Sequence, residues 1–105
     1  MKYFTIKELC KSTTAKQLGI DNSPNSEIVS NLEQLINNIL DPLRERFGKP
    51  IYVNSGYRSP ALNKAINGSK TSYHMKGLAA DITGGSVNKN KILFNLIQEL
   101  DLPYD

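Results

Sequence analysis

The chain has 105 residues, is 39% hydrophobic and 22% charged, and carries a formal net charge of +3. That length supports one domain with one core, and no apolar run approaches the roughly 20 residues of a membrane-spanning helix. The positive charge suits an anionic polymer, but the lysines and arginines are scattered without a basic block, so neither nucleic acid nor membrane is expected as a partner.

The first residues, Met1-Lys2-Tyr3-Phe4-Thr5-Ile6-Lys7-Glu8, lack the uninterrupted apolar core of a secretory signal. The location stays open between the cytoplasm, release from the cell by another route, and a signal that this stretch of sequence does not contain. Thr5 and Glu8 stand three apart, as in a capping box, and predict a short helix over about 5–10. Cys10 is the single cysteine, so no intrachain disulfide can form. It reads as a small buried hydrophobe beside Leu9. A second helix is expected through Thr14–Leu18, stopped by Gly19, and residues 21–26 read as a loop by composition.

Ser26 reads as the N-cap of the main helix. Ile28, Val29, Leu32, Leu35, Ile36, Ile39, Leu40, Leu43 and Phe47 follow at helical spacing, and Gly48 and Pro50 stop it. Its span of about 22 residues corresponds to roughly 33 Å. Pro42 removes a hydrogen bond and predicts a kink near Asp41. Arg44, Glu45 and Arg46 read as a solvated face. Ile51–Asn54 reads as a strand and Ser55-Gly56 as a turn. Ser59 caps a helix that has Pro60 at its first position, runs to about Asn67 and ends at Gly68. Residues 78–82 read as a second strand ended by Gly84-Gly85. A last helix over about 88–100 puts Ile92, Leu93, Leu96, Ile97 and Leu100 on one face.

From the end of the Ser59-capped helix into the second strand runs Ser72-Tyr73-His74-Met75-Lys76-Gly77-Leu78-Ala79-Ala80-Asp81, with the only histidine of the chain. The pattern is S-x-H-x-x-G-x-A-x-D. In one continuous helix, His74 and Asp81 would sit about 10 Å apart along the axis. Two ligands of one zinc ion, each about 2 Å from the metal, cannot be so far apart. A shared site therefore requires a turn, for which Gly77 is suited because it tolerates positive φ. In the strand that follows, Leu78, Ala80 and Ile82 would face the core, and Ala79 and Asp81 a cleft. A carboxylate there is costly to bury without a partner, which a cation or neighbouring backbone N–H groups could supply.

This segment resembles the zinc-binding motif of the D-alanyl-D-alanine carboxypeptidase-type metallopeptidases, which share a fold with the Hedgehog signalling domain. Ser55-Gly56-Tyr57-Arg58-Ser59-Pro60 resembles a second motif of that family. The resemblance covers roughly residues 26–105 and is strongest from 50 to 82. It implies a small α+β domain of the Hedgehog/DD-peptidase type, with a short, mainly antiparallel sheet packed against helices. It implies zinc as cofactor, with His74 and Asp81 as two of three ligands. It also implies that Arg58 acts in catalysis facing the substrate carbonyl, and that peptidoglycan stem peptides with D-amino acids are the substrate. Ser72 and Tyr57 are the substrate-binding candidates. Ser72 could equally orient its loop, Tyr57 could equally pack in the core, and Arg58 could be a surface arginine paired with any acid.

The family's third ligand is a later histidine preceded by a catalytic acid, and no histidine follows His74 here. The resemblance therefore implies a domain over 1–105 that is incomplete at its C-terminus, with weak zinc binding, little or no activity, and a sheet lacking its last strands. Pro103 pushes Leu102 toward an extended conformation, and an exposed sheet edge invites self-association. The competing reading is a non-catalytic module on the same scaffold that binds peptidoglycan or a protein.

Overall fold

Five polar side chains start the helices. In a computed structural model that describes residues 1–100, Thr5, Ser12, Asn25, Ser59 and Ser86 each accept a hydrogen bond from a backbone N–H of the helix that follows. Each such cap contributes about 1 kcal/mol. The helices are α1 (Ile6–Leu9), α2 (Thr13–Leu18), α3 (Ser26–Leu35), α4 (Asp41–Phe47), α5 (Pro60–Ala65) and α6 (Val87–Glu99). Asn25, not Ser26, caps α3: its Oδ1 accepts from Ile28 N at 2.9 Å. The residues from 101 onward, for which an extended path was expected, lie outside the described residues.

The apolar stripe from Ile28 to Phe47 forms one continuous helical column, and the interruption expected at Pro42 takes the form of a π-helical stretch just before Asp41. Ile36–Leu40 is π-helical and joins α3 directly to α4. The Asp41 N–H reaches back five residues to the Ile36 carbonyl. Pro42 has no N–H to donate and would press on the carbonyl four residues earlier. A wider turn relieves that clash and re-satisfies the backbone. Leu32, Leu35, Ile36, Leu40 and Leu43 on this column are buried, together with Phe4, Leu9, Ile51, Tyr57 and Leu93. Each fully buried leucine or isoleucine contributes about 1.5–3 kcal/mol.

Two strands, β1 (Tyr52–Ser55) and β2 (Asp81–Thr83), pair antiparallel, with Tyr52 opposite Thr83, Val53 opposite Ile82 and Ser55 opposite Asp81. Asn54 is the extra residue of a bulge between Val53 and Ser55. Val53, Ala80 and Ile82 pack against the core. The architecture among the described residues is α+β, as expected, with helices around a two-stranded antiparallel sheet.

Three expectations about faces and lengths need correction. Leu78 is 48% exposed rather than in the core, because β2 begins only at Asp81. Leu78 instead belongs to the preceding turn, its N–H bonded to the Tyr73 carbonyl. The helix α5 is shorter than predicted and stops at Ala65, where Asn67 takes a positive φ of 57° and Gly68 N–H returns to the Asn63 carbonyl. On α6, Leu93 is buried, but Ile92 and Leu100 are exposed, so only the middle of the expected stripe meets the core.

Asn22, read from sequence as part of a loop, ties the N-terminal helices to the segment after β1. Its Nδ2 donates to the carbonyls of Cys10 (2.9 Å) and Tyr57 (3.1 Å), and its Oδ1 accepts from Ser59 N at 2.6 Å. Replacing it with alanine strands three backbone groups at once. The expected cost is about 1–3 kcal/mol, read as a lower urea midpoint for Asn22→Ala. An unchanged midpoint would remove Asn22 from this role.

Candidate functional site

The site is built where β1 ends, β2 begins and a 3₁₀ turn over Tyr73–Lys76 crosses between them. Ser72 starts that turn: its Oγ accepts from His74 N at 3.2 Å. Gly77 ends it in the left-handed region, at φ 71°. A side chain at Gly77 would also press on Ile28 and Leu32 of α3. The Lys76 carbonyl accepts from Asn31 Nδ2 at 2.8 Å, which docks the turn on α3.

This turn swings His74 back over the sheet. Its Nδ1 lies 2.7 Å from the Gly56 carbonyl. A carbonyl can only accept, so Nδ1 carries a proton, and in the neutral ring Nε2 is the nitrogen with a free lone pair. Nε2 lies 3.5 Å from Asp81 Oδ2. Two zinc ligands at about 2.1 Å with tetrahedral angles stand about 3.4 Å apart, so the pair is spaced as two ligands of one ion would be. An Nδ1–H held by a backbone carbonyl is also how metal-binding histidines are commonly fixed in tautomer and ring orientation. The Asp81 side chain is 66% exposed and that of His74 only 12%. Burial therefore does not make Asp81 demand a cation, contrary to the sequence argument; its placement opposite Nε2 is the stronger reason. Among the described residues no group of three or more His, Cys, Asp or Glu stands together to hold a metal.

Arg58 adjoins the pair. Its backbone N–H donates to the His74 carbonyl at 3.1 Å, and its Nη2 donates to Ser72 Oγ at 3.0 Å. Its Nε is buried and has no hydrogen-bond partner. One hydroxyl, that of Ser72, thus holds both the turn bearing His74 and the guanidinium. Tyr57 is 7% exposed and belongs to the core, and it also borders a cavity of about 560 Å³ shared with Arg58. The segment that carries these residues is pinned by Tyr57 N–H to the Leu9 carbonyl at 2.7 Å.

The chain matches the family described as Peptidase M15 over residues 2–99. The chain belongs to the peptidase M15 family. A stretch of 48 residues is 46% identical to the zinc D-Ala-D-Ala carboxypeptidase of Streptomyces albus G, covering 45% of this chain and 19% of that protein. This peptidase M15 chain therefore aligns with about a fifth of the length of that curated relative. No solved structure gives a significant match. No helix among the described residues is long and apolar enough to cross a membrane.

Two residues near the M15 motifs escaped the sequence reading. Gly56 was read as a turn within the second motif, but its carbonyl orients His74 and it packs directly on the Leu9 backbone. Asn22 holds Tyr57 and Ser59 from 35 and 37 residues away. The only local signal for Gly56 was its place beside Arg58; Asn22 gave none.

Burial pushes the Cys10 thiol above its ordinary value of 9.0, and burial first, then the neighbouring Cys10 and Asp21 charges, pushes the Tyr57 phenol above 10.0. Both groups are more easily deprotonated in the unfolded chain. Their contribution to stability is full below the unfolded values and is lost as pH rises through the folded ones. Urea midpoints are therefore expected to begin falling near pH 9, and Cys10→Ala should flatten the first part of that fall. A midpoint that rises between pH 9 and 10.5 would contradict the assignment.

Proposed function

We propose that this chain carries part of the zinc centre of a peptidase that acts on peptidoglycan stem peptides, as a D,D-carboxypeptidase or a related endopeptidase. We also read its α+β arrangement as the Hedgehog/DD-peptidase type. The observation that carries the reading is the His74–Asp81 pair, 3.5 Å apart, with Nδ1 engaged by Gly56 so that Nε2 faces the carboxylate. The name of the Streptomyces albus G relative supports both the metal and the substrate class.

His74 Nε2 and Asp81 Oδ2 would hold the metal, with the remaining protein ligand supplied from outside the described residues. Zinc bound there supplies Lewis-acid polarisation of a carbonyl and makes water a stronger acid. The chain's own residues do the rest. The Gly56 carbonyl keeps the proton on Nδ1 and thereby keeps Nε2 available. Ser72 fixes the guanidinium of Arg58, whose planar fork suits a carboxylate or a carbonyl oxygen gaining negative charge. The unpaired, buried Nε of Arg58 is a donor in need of such an acceptor. Ser72 could add a contact to the substrate, and Tyr57 could bear on it from the cavity wall.

Calorimetric zinc titration, and hydrolysis of a peptide ending in D-Ala-D-Ala and of purified peptidoglycan, test the reading. Weak zinc binding by this chain that disappears in His74→Ala, and chelator-sensitive hydrolysis by a longer version supplying the remaining ligand that disappears with the same substitution, are the expected results. Zinc binding or hydrolysis that persists in His74→Ala overturns the ligand assignment. Zinc-independent binding of peptidoglycan without cleavage would favour the non-catalytic module.

A further inference from the structure

The cavity of about 560 Å³ beside Arg58 lies between the α1–α2 connection, β1 and the C-terminal end of α5, where Leu62 and Ile66 line it. All four residues of β1, Tyr52–Ser55, line it. Side chains of a strand alternate between faces, so a cavity over one face would meet every second residue. Contact with all four means that the cavity runs along the edge of the strand. The opposite edge is paired to β2, and β1 has no other strand partner among the described residues. The bulge at Asn54 leaves that residue without a partner in the register, and bulges commonly redirect a strand at such sites.

The walls of the groove are charged unevenly. Lys11 and Arg58 face one carboxylate, Glu8. No ion pair between these groups occurs among the described residues, and the buried Arg58 Nε has no acceptor. The Tyr57 N–H bond to the Leu9 carbonyl ties the two walls together beside Arg58.

We propose that this groove seats an extended, acidic peptide that adds to the free edge of β1, with its backbone bonded to the strand and a carboxylate drawn to Lys11 and Arg58. Edge addition supplies affinity through main-chain hydrogen bonds, and side-chain pockets supply selectivity. Four strand residues at about 3.3 Å each give an edge of about 13 Å, enough for a tetrapeptide. The excess of positive charge selects the acidic ligand over a basic one. The proposal extends the peptidase reading, since Arg58 belongs to both sites, but binding in the groove requires no metal.

The test measures binding of the fluorescent-labelled tetrapeptide Ala-Glu-Ala-Ala, free at its C-terminus, by anisotropy in zinc-free buffer. Its comparators are the same peptide with lysine for glutamate and a C-terminal amide, and two versions N-methylated at alternate amides. The acidic peptide should bind at least 10-fold more tightly than the basic one. Lys11→Glu should weaken it about 10-fold, and one of the two N-methylated versions should lose binding. His74→Ala should leave binding unchanged, which separates the groove from the zinc centre: zinc binding that survives His74→Ala overturns the ligand assignment and leaves the groove intact. No binding, equal binding of acidic and basic peptides, or indifference to Lys11→Glu overturns the proposal. So does sedimentation showing that β1 edges pair two copies of the chain at the assay concentration.

Discussion

Gly56→Ala is expected to destabilise the protein by about 3 kcal/mol and to lower its melting temperature by about 10–20 °C. A Cβ at this position would run into the carbonyl oxygen of Leu9, with the Leu9 carbonyl carbon and Cα also within 3.0 Å. All three are backbone atoms, so no flexible side chain can swing aside. Relief requires α1 and the end of β1 to separate, which stretches the 2.7 Å bond from Tyr57 N–H to the Leu9 carbonyl. The same movement withdraws the Gly56 carbonyl from His74 Nδ1. The variant should therefore lose zinc affinity as well as stability. Thermal denaturation and zinc titration of the same preparation check both, and a melting temperature within 2 °C of the parent would show that the contact is not tight.

In a longer version that supplies the remaining zinc ligand, Arg58→Ala is expected to lower kcat on a peptide ending in D-Ala-D-Ala by about 10²-fold or more, the scale of losing one donor to a developing oxyanion. Stability should change by no more than about 1 kcal/mol, because the side chain is half-buried and its one side-chain partner among the described residues is the Ser72 hydroxyl. Ser72→Ala offers a graded comparison. It removes the hydroxyl that holds Nη2 but leaves the charge, so its loss in kcat should be smaller than that of Arg58→Ala. Equal hydrolysis by the parent and Arg58→Ala would remove the guanidinium from the chemistry.

The local grammar of this chain was readable where the deciding atoms lie within a few residues of one another. Thr5, Ser59 with Pro60, Gly19, Gly48 and Gly77 start or stop helices or turns where their chemistry suggested. The geometric requirement that His74 and Asp81 be separated by a turn at Gly77 also came from spacing alone. What remained hidden depends on partners far along the chain. Leu78 is apolar and alternates correctly, yet the strand starts three residues later, where Asp81 finds Ser55 to pair with. Asn22 looks like any polar loop residue until Cys10, Tyr57 and Ser59 converge on it. The exposed Ile92 obeys the helical period, but Leu93, one position on, is the residue that meets the core.

The π-helical stretch at Ile36–Leu40 acts as a phase adjuster. Leu32, Ile36, Leu40, Leu43 and Phe47 advance at roughly 3.75 residues per turn, slower than the 3.6 of a regular α-helix. A regular helix would let this row wander around the cylinder, and the wide turn holds it in line. Deleting one residue from that stretch would leave every remaining side chain chemically intact while rotating α4 by about 100° relative to α3. Leu43 would leave the core, and Phe47, which lies against Gly84 just after β2, would swing away from it. Arg46 would lose its 2.8 Å contact with Glu99, and the packing of α4 against α6 would change. The strand that presents Asp81 ends at this junction, so the angular register of a helix remote in sequence helps decide where that carboxylate stands.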